Sequence, residues 1–382
     1  DLFPKAGITF WDVAHETNGG LIADGYTRAT GKMSMVIAQN GPGITGLVTP
    51  IKTAYWNHTP LLLVTPQAAN KTMGQGGFQE VEQMNLFKDM VCYQEEVRDP
   101  SRMAEVLNRV IEKAIRGSAP AQINVPRDYW TQVVDIELPP IVRFERQAGG
   151  ANAIERAAKL LSEAKFPVIL SGAGVVIGNA IKECKDLAEK LDAPVCNGYQ
   201  HNDSFPGSHP LAVGPLGYNG SKAAMQLISK ADVVLALGTR LNPFSTLPGY
   251  GIDYWPKNAN IIQVDINSDR IGLTKKVTVG IEGDAKQVAK QILDKLSSNA
   301  GDIGREERKN LIHKTKSAWL QTLTSLDHED DDPGTVWNKE ARERDKDRMS
   351  PRQAWRAIQA AMPDEVIISS DIGNNCAIGN AY

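Results

Sequence analysis

The sequence predicts an α/β protein made of doubly wound, parallel-sheet domains. Short unbroken apolar runs such as "PLLLVTPQ" (60–67) and "ADVVLALGTRL" (231–241) suit strands buried on both faces. Between them lie longer stretches with apolar residues at helical spacing, so strand and helix alternate. A chain of 382 residues also exceeds one ordinary core, which sets an expectation of two to three domains.

The elements follow in order. "ITFWDVA" (8–14), rich in β-branched and aromatic residues, reads as a short buried strand, and "HETNGG" (15–20) opens the next helix. "SMVIAQ" (34–39) is a strand, and "GPGITGLVTPIKTAYWN" (41–57) is a turn that continues as a helix. "SRMAEVLNRVIEKAIRG" (101–117) is amphipathic, with Met103, Val106, Leu107, Val110, Ile111 and Ala114 on one face and Gly117 as its stop. "PAQINVPRD" (120–128) closes a first domain over 1–140, and "ELPP" marks the exit.

A second α/β unit spans 150–298: the helix "ANAIERAAKLLSEAK", the strand and glycine turn "PVILSGAGVV", the strands "ADVVLALGTRL" and "NIIQVDIN", and the helix "DAKQVAKQILDKL". Residues 299–349 carry a run of acids and then mixed charge, and read as a solvated linker. From Ser350 the α/β pattern resumes with the helix "SPRQAWRAIQAAMP", the strand "EVIISSD" and the loop "IGNNCAIGNAY". Residues 350–382 read as the start of a third domain. The first domain is expected to lack its N-terminal part and the third to be truncated.

Composition narrows the function. A net charge of -3 gives no electrostatic footprint for nucleic acid or an anionic membrane. No apolar run approaches the roughly 20 residues of a membrane helix, and no secretory leader opens the sequence, which points to a cytoplasmic protein. Cys92, Cys184, Cys196 and Cys376 form no pair at metal-ligand spacing and read as reduced thiols.

Four clusters can carry chemistry. Glu16 sits in a first helical turn, where a carboxylate complements the helix dipole. On that helix Glu16, Gly19, Gly20 and Ala23 share one face, so the carboxylate borders a surface with few side chains, open to a flat ligand or another chain. Gly41, Pro42 and Gly43 form a rigid turn after a strand that brings backbone amides close to a ligand or simply reverses the chain. Gly172 to Gly174 also follow a strand, but the G-x-G-x-x-G spacing fails at Ile177 and no ribose-holding acid stands where one is needed. "DIGNN", with Gly373, Asn374 and Asn375, is either an anion-binding strand end or an Asn-rich turn.

"HETNGGLIADGYTRATGK" followed by "AQNGPGITGLVTPIKTAYWNHTPLLLVTPQ" resembles the pyrimidine-binding domain of thiamine-diphosphate-dependent enzymes of the acetolactate synthase and pyruvate oxidase type. The motifs are His15-Glu16, then Gly25-Tyr26-Thr27-Arg28-Ala29-Thr30-Gly31, then Gly41-Pro42-Gly43. The second unit resembles that family's central domain and the third the start of its diphosphate-binding domain. "GQGGFQEVEQMNLFKDMVCYQEEVRDP" and "IISSDIGNNCAIGNAY" are similar to the acetyltransferase branch that takes sulfoacetaldehyde and phosphate and forms acetyl phosphate and sulfite. Two departures stand out. Acetolactate synthases carry Asn where this chain has Gly46, and the family's Gly-Asp-Gly…Asn-Asn magnesium motif does not occur.

The resemblance implies thiamine diphosphate and Mg2+ as cofactors, with the metal ligands expected beyond Tyr382. It implies that Glu16 is the catalytic carboxylate, hydrogen-bonded to the cofactor's aminopyrimidine in a water-poor setting. Gly41, Pro42, Gly43, Gly373, Asn374 and Asn375 would contact the cofactor. His15, His58, Phe78 and Gln79 are candidates for the substrate pocket, each also readable as structural. A cofactor held between subunits implies a homodimer or homotetramer. Other carboligases or lyases of the same family are rival expectations, as are a Rossmann oxidoreductase at the Gly172 turn and a non-catalytic nucleotide-binding module.

Overall fold

In β2, the strand Leu61–Gln67, Leu61 and Leu63 pack into one hydrophobic cluster while Leu62 and Val64 pack into another on the opposite face. That two-residue alternation with both faces buried defines a central strand of a parallel sheet. The structure, a computed structural model, describes residues 3–140, 145–327, 349, 351–363, 365–371 and 373–381. Its contacts divide the chain into two compact units, 1–144 and 145–382.

The first unit runs α1 (Glu16–Thr30), β1 (Ser34–Ile37), α2 (Pro42–Thr45), α3 (Val48–Trp56), β2, α4 (Gln83–Phe87), β3 (Tyr93–Glu96), α5 (Met103–Gly117) and β4 (Ala121–Pro126). The four strands are parallel in the order β1-β2-β4-β3, with Ser34 level with Leu61 and Leu62 level with Ala121. Helix α1 starts because the His15 side chain accepts a hydrogen bond from Thr17 N, and it stops at Gly31, whose φ of 69° suits glycine. Helix α5 buries Val106, Val110 and Ala114 on its predicted face. Its left-handed cap is Ser118, with φ of 44°, and not the expected Gly117. Gly117 is small because a Cβ there would lie 2.9 Å from Cys92 Sγ.

The second unit runs α6 (Ala151–Glu163), β5 (Pro167–Ser171), α7 (Ala173–Ile177), α8 (Ile181–Leu191), β6 (Val195–Asn197), β7 (Ala212–Pro215), α9 (Lys222–Ile228), β8 (Val233–Leu237), β9 (Asn260–Asp265), β10 (Val279–Glu282), α10 (Ala285–Lys295), α11 (Arg305–Asp327), α12 (Pro351–Ala361) and α13 (Asn374–Ala381). Its six parallel strands lie in the order β10-β9-β8-β5-β6-β7. The chain winds outward from β5 to one side and returns to wind from β8 to the other, which is the doubly wound topology expected.

Several expectations need correction. Residues 8–14 form no strand. Phe10 and Trp11 are exposed, and the segment has no neighbouring strand among the described residues, without which a strand's backbone groups stay unpaired. Residues 365–371 form no strand for the same reason, and Ile367 is 82% exposed. Within the loop expected over 372–382, residues 374–381 are instead α13. The 299–349 linker is in part the 23-residue helix α11, whose Arg308, Ile312, Trp319 and Leu323 are buried. The acidic run 328–348 lies outside the described residues.

Candidate active site

The carboxylate of Glu16 is half-buried at the first turn of α1 and faces the turn that follows β1. A Cβ built on Gly43 would sit 3.4 Å from Glu16 Oε1, and one built on Gly46 would sit 3.2 Å from Oε2. Two glycines therefore make the floor on which the carboxylate rests. Thr17 Oγ1 donates to Gly46 O at 2.6 Å and ties α1 to that floor. No described residue forms a hydrogen bond or ion pair with the Glu16 carboxylate, which leaves it available to a ligand. An unpartnered, half-buried carboxylate over a glycine floor fits an aminopyrimidine ring that needs one acidic contact and little side-chain bulk.

The shared face of Glu16, Gly19, Gly20 and Ala23 serves a different purpose from the one expected. Gly20 and Ala23 are buried inside the unit. A Cβ on Gly20 would lie 2.4 Å from Pro50 Cγ, so this glycine admits α3 and not a cofactor. Gly46 supplies the clearance at the carboxylate, at the very position where the acetolactate synthase pattern has Asn.

Gly41 has φ of 74° and ψ of -118°, a conformation glycine adopts readily. Its missing Cβ leaves room for Gln79, whose Cβ would otherwise be 2.8 Å away and whose carbonyl oxygen 2.9 Å away. Gln79 is also held by Asn40 Nδ2, which donates to its carbonyl at 3.0 Å, and by Gln39 Nε2, which donates to its Oε1 at 2.7 Å. Gln39 stands between the two candidate residues, because its Cβ and Glu16 Oε1 both border Gly43.

The segment carrying Gln79 is folded by its own carboxylate. Glu80 accepts from Gly74 N at 2.7 Å through one oxygen and from Gly77 N at 3.3 Å through the other. The segment continues into α4, where buried Gln83 Nε2 lies 2.7 Å from Pro66 O and 3.1 Å from both Gln67 Oε1 and Asn124 Oδ1. Phe78, at 87% exposed, packs in no core and is presented outward beside Gln79.

The two histidines separate. His15 caps α1 next to Glu16, and because its Nδ1 accepts from Thr17 N, its neutral ring carries hydrogen on Nε2. His58 follows α3 with φ of 58° and leads into the amino end of β2. In a parallel sheet that is the edge opposite Gly41, which lies beyond the carboxyl end of β1. His58 is therefore not brought to the Glu16–Gln79 cluster. In the second unit, Gly373 has φ of 113° and precedes α13, which opens with Asn374 and Asn375.

The Gly172 turn offers no open cradle. A Cβ on Gly172 would lie 2.6 Å from Thr239 Cβ, and one on Gly174 would lie 2.7 Å from Gly238 Cα. These glycines let the turns after β5 and β8 pack together, which weakens the oxidoreductase alternative. Near this edge burial raises the Asp265 carboxyl and lowers the Arg240 guanidinium. The described residues hold no cluster of three metal-ligating side chains. None of their helices is long and apolar enough to cross a membrane.

Residues 1–86 match the family model "Thiamine pyrophosphate enzyme, N-terminal TPP binding domain", and residues 154–292 match "Thiamine pyrophosphate enzyme, central domain". The chain belongs to the thiamine pyrophosphate enzymes. Over all 382 residues it is 79% identical to a probable sulfoacetaldehyde acetyltransferase of Rhizobium meliloti, of which it covers 65%. It is 78% identical to the sulfoacetaldehyde acetyltransferase of Roseovarius nubinhibens, of which it covers 63%. A probable acetolactate synthase large subunit of Methanocaldococcus jannaschii is 34% identical over 82% of this chain. The chain thus spans just under two thirds of the length of those acetyltransferase relatives. Within this thiamine pyrophosphate enzyme, the structure brings Gln39, Asn40 and Glu80, which no sequence motif singles out, together with the expected residues Glu16, Gly41, Gly43 and Gln79. Gln39 and Gln79 stand 40 residues apart, and no local pattern links them.

Proposed function

We propose that the full-length protein is a thiamine-diphosphate- and Mg2+-dependent sulfoacetaldehyde acetyltransferase. The observation that carries this reading is the unpartnered Glu16 carboxylate on its glycine floor, in a chain that resembles sulfoacetaldehyde acetyltransferases along its whole length. The reaction balances without an oxidant: sulfoacetaldehyde and hydrogen phosphate give acetyl phosphate and hydrogen sulfite. The carbon–sulfur bond breaks with its electron pair leaving on sulfite, the aldehyde carbon rises to the acyl level, and the neighbouring carbon becomes a methyl group.

Thiamine diphosphate supplies the electron sink for the carbonyl carbon when bound. The chain's own residues do the rest. Glu16 holds a proton against the aminopyrimidine ring nitrogen, and Gly43 and Gly46 keep side chains out of that contact. Gln79 and the Nε2 hydrogen of His15 are donors for a sulfonate or phosphate, while Phe78 gives an apolar wall that limits water. Gly373, Asn374 and Asn375 are assigned to the diphosphate. Because a cofactor of this size is shared between subunits in the family, the working state is at least a homodimer, and a cytoplasmic setting suits its phosphate chemistry.

The test is sulfite release from sulfoacetaldehyde by full-length protein with thiamine diphosphate, Mg2+ and phosphate. Acetyl phosphate is expected in equal amount. Glu16→Gln is expected to lower turnover at least about a hundredfold while the cofactor still binds. Turnover of pyruvate in place of sulfoacetaldehyde would reassign the protein to the acetolactate synthase branch.

A further inference from the structure

We propose that Glu80 is a positioning residue: by closing on the amides of Gly74 and Gly77, its carboxylate holds Phe78 and Gln79 in place for the substrate. The inference rests on the reading above that these two residues face a small anionic substrate.

The segment needs such an anchor because little else holds it. No residue between Asn70 and Glu82 joins a described hydrophobic cluster, and residues 74–78 are all exposed. Gly74, Gly76 and Gln79 take positive φ, which curls the chain back on itself and, at Gln79, costs free energy for a residue with a Cβ. Two fixed points stand against that cost. At one, Asn40 Nδ2 donates to the Gln79 carbonyl at 3.0 Å, where Gly41 leaves room for it. At the other, Glu80 Oε1 accepts from Gly74 N at 2.7 Å and Oε2 from Gly77 N at 3.3 Å, while Glu80 N donates back to Gly77 O at 3.2 Å. Donor and acceptor cannot exchange in these contacts, because a backbone N–H only donates and an ionised carboxylate only accepts. The carboxylate thus closes residues 74–80 into a loop that includes Phe78 and Gln79.

The charge of Glu80 makes an anchoring role separable from an electrostatic one. Glu80 is the neighbour of Gln79 in the chain and forms no ion pair with a described residue. A carboxylate so near the site of an anion repels it, so removing the charge alone would tighten anion binding, by about twofold at a screened surface. Removing the anchor would weaken binding, because Phe78 and Gln79 lose their fixed geometry and substrate binding must then supply the ordering. The two effects have opposite signs. Glu80 itself need not touch the substrate.

Glu80→Gln and Glu80→Asp, made in the full-length protein, test this. Glu80→Gln keeps the length and loses the charge, whereas Glu80→Asp keeps the charge and is one methylene too short to span both amides. Both should raise the KM for sulfoacetaldehyde about fivefold, with kcat within about twofold and the unfolding midpoint unaltered. Both should also speed hydrogen exchange across residues 74–80 and leave β2 protected. On a background carrying Phe78→Ala and Gln79→Ala, nothing is left to position, and neither variant should raise KM by more than about 1.5-fold. A lower KM in Glu80→Gln, no rise in either variant, a full fivefold rise on that background, or a midpoint that falls in step with the rise in KM would each overturn the proposal. If the protein turns over pyruvate and not sulfoacetaldehyde, the assigned reaction fails, and the same cycle run on pyruvate, also an anion, decides the role of Glu80.

Discussion

Gly20 and Gly46 both adjoin the helix that carries Glu16, yet they answer to different neighbours. A Cβ on Gly20 meets Pro50 at 2.4 Å, inside the contact between α1 and α3. A Cβ on Gly46 meets Glu16 Cβ and Oε2 at 3.2 Å, at the candidate site. Gly20→Ala is thus expected to destabilise the protein by about 1–3 kcal/mol through overpacking, with turnover per folded molecule little changed. Gly46→Ala should leave the unfolding midpoint nearly unaltered and lower turnover about tenfold by displacing the carboxylate. Urea unfolding and steady-state assays of the two variants check this, and the reverse pattern would mean that Gly20 and not Gly46 borders the cofactor. Glu16 was legible as a carboxylate in a first helical turn, and the Gly41–Gly43 turn as a glycine-proline turn after a strand, with Gly41 alone at a positive φ. Sequence reading misassigned Gly20, since shared-face spacing says which residues point together but not what they meet.

Helix α11 shows why an element can be missed. Its surroundings are so charged that the segment reads as a connector, yet Arg308, Ile312, Thr315, Trp319 and Leu323 form one buried stripe at helical spacing. The stripe begins with an arginine, which pattern reading counts as a surface residue. Buried Arg308 donates to five carbonyl oxygens, those of Lys165, Leu191, Asp192, Gly301 and Ile303, at 2.6–2.9 Å. Two of these belong to the C-terminal end of α8, where a cation also complements the helix dipole. Edge strand β3 went unread for a related reason, since all four of its residues are only half-buried and two are glutamates. The strands at 8–14 and 365–371 failed oppositely: their composition suits a strand, but a strand forms only against a partner. Arg308→Ala is expected to cost on the order of 3–5 kcal/mol, because it leaves several buried carbonyls without donors. Arg308→Lys, with three donors where five were, should recover only part of the loss. Urea unfolding of the two variants measures both, and a cost below about 1 kcal/mol for Arg308→Ala would show that water satisfies those carbonyls.

At the scale of the molecule, the two units have separate interiors. The clusters flanking the first sheet draw on residues between Ala23 and Tyr129, and the large cluster of the second draws on residues between Ala153 and Ile312. No buried residue belongs to both sets, so the loss of packing in one core need not loosen the other, and the chain departs from a single two-state transition. Hydrogen exchange read peptide by peptide on the full-length protein separates the cases. Gly20→Ala should speed exchange across β1 and β2, where the strands pack beneath α1 and α3, and leave β5 and β8 protected. Arg308→Ala should do the converse, speeding exchange in α8 and β5 while β2 keeps its protection. Because each unit is stabilised by its own sheet, the combined variant should show the two single patterns superimposed, with free-energy losses that add to within about 0.5 kcal/mol. If either substitution speeds exchange throughout both sheets, the two cores unfold as one cooperative body, and the division of the chain into separately stabilised units is wrong.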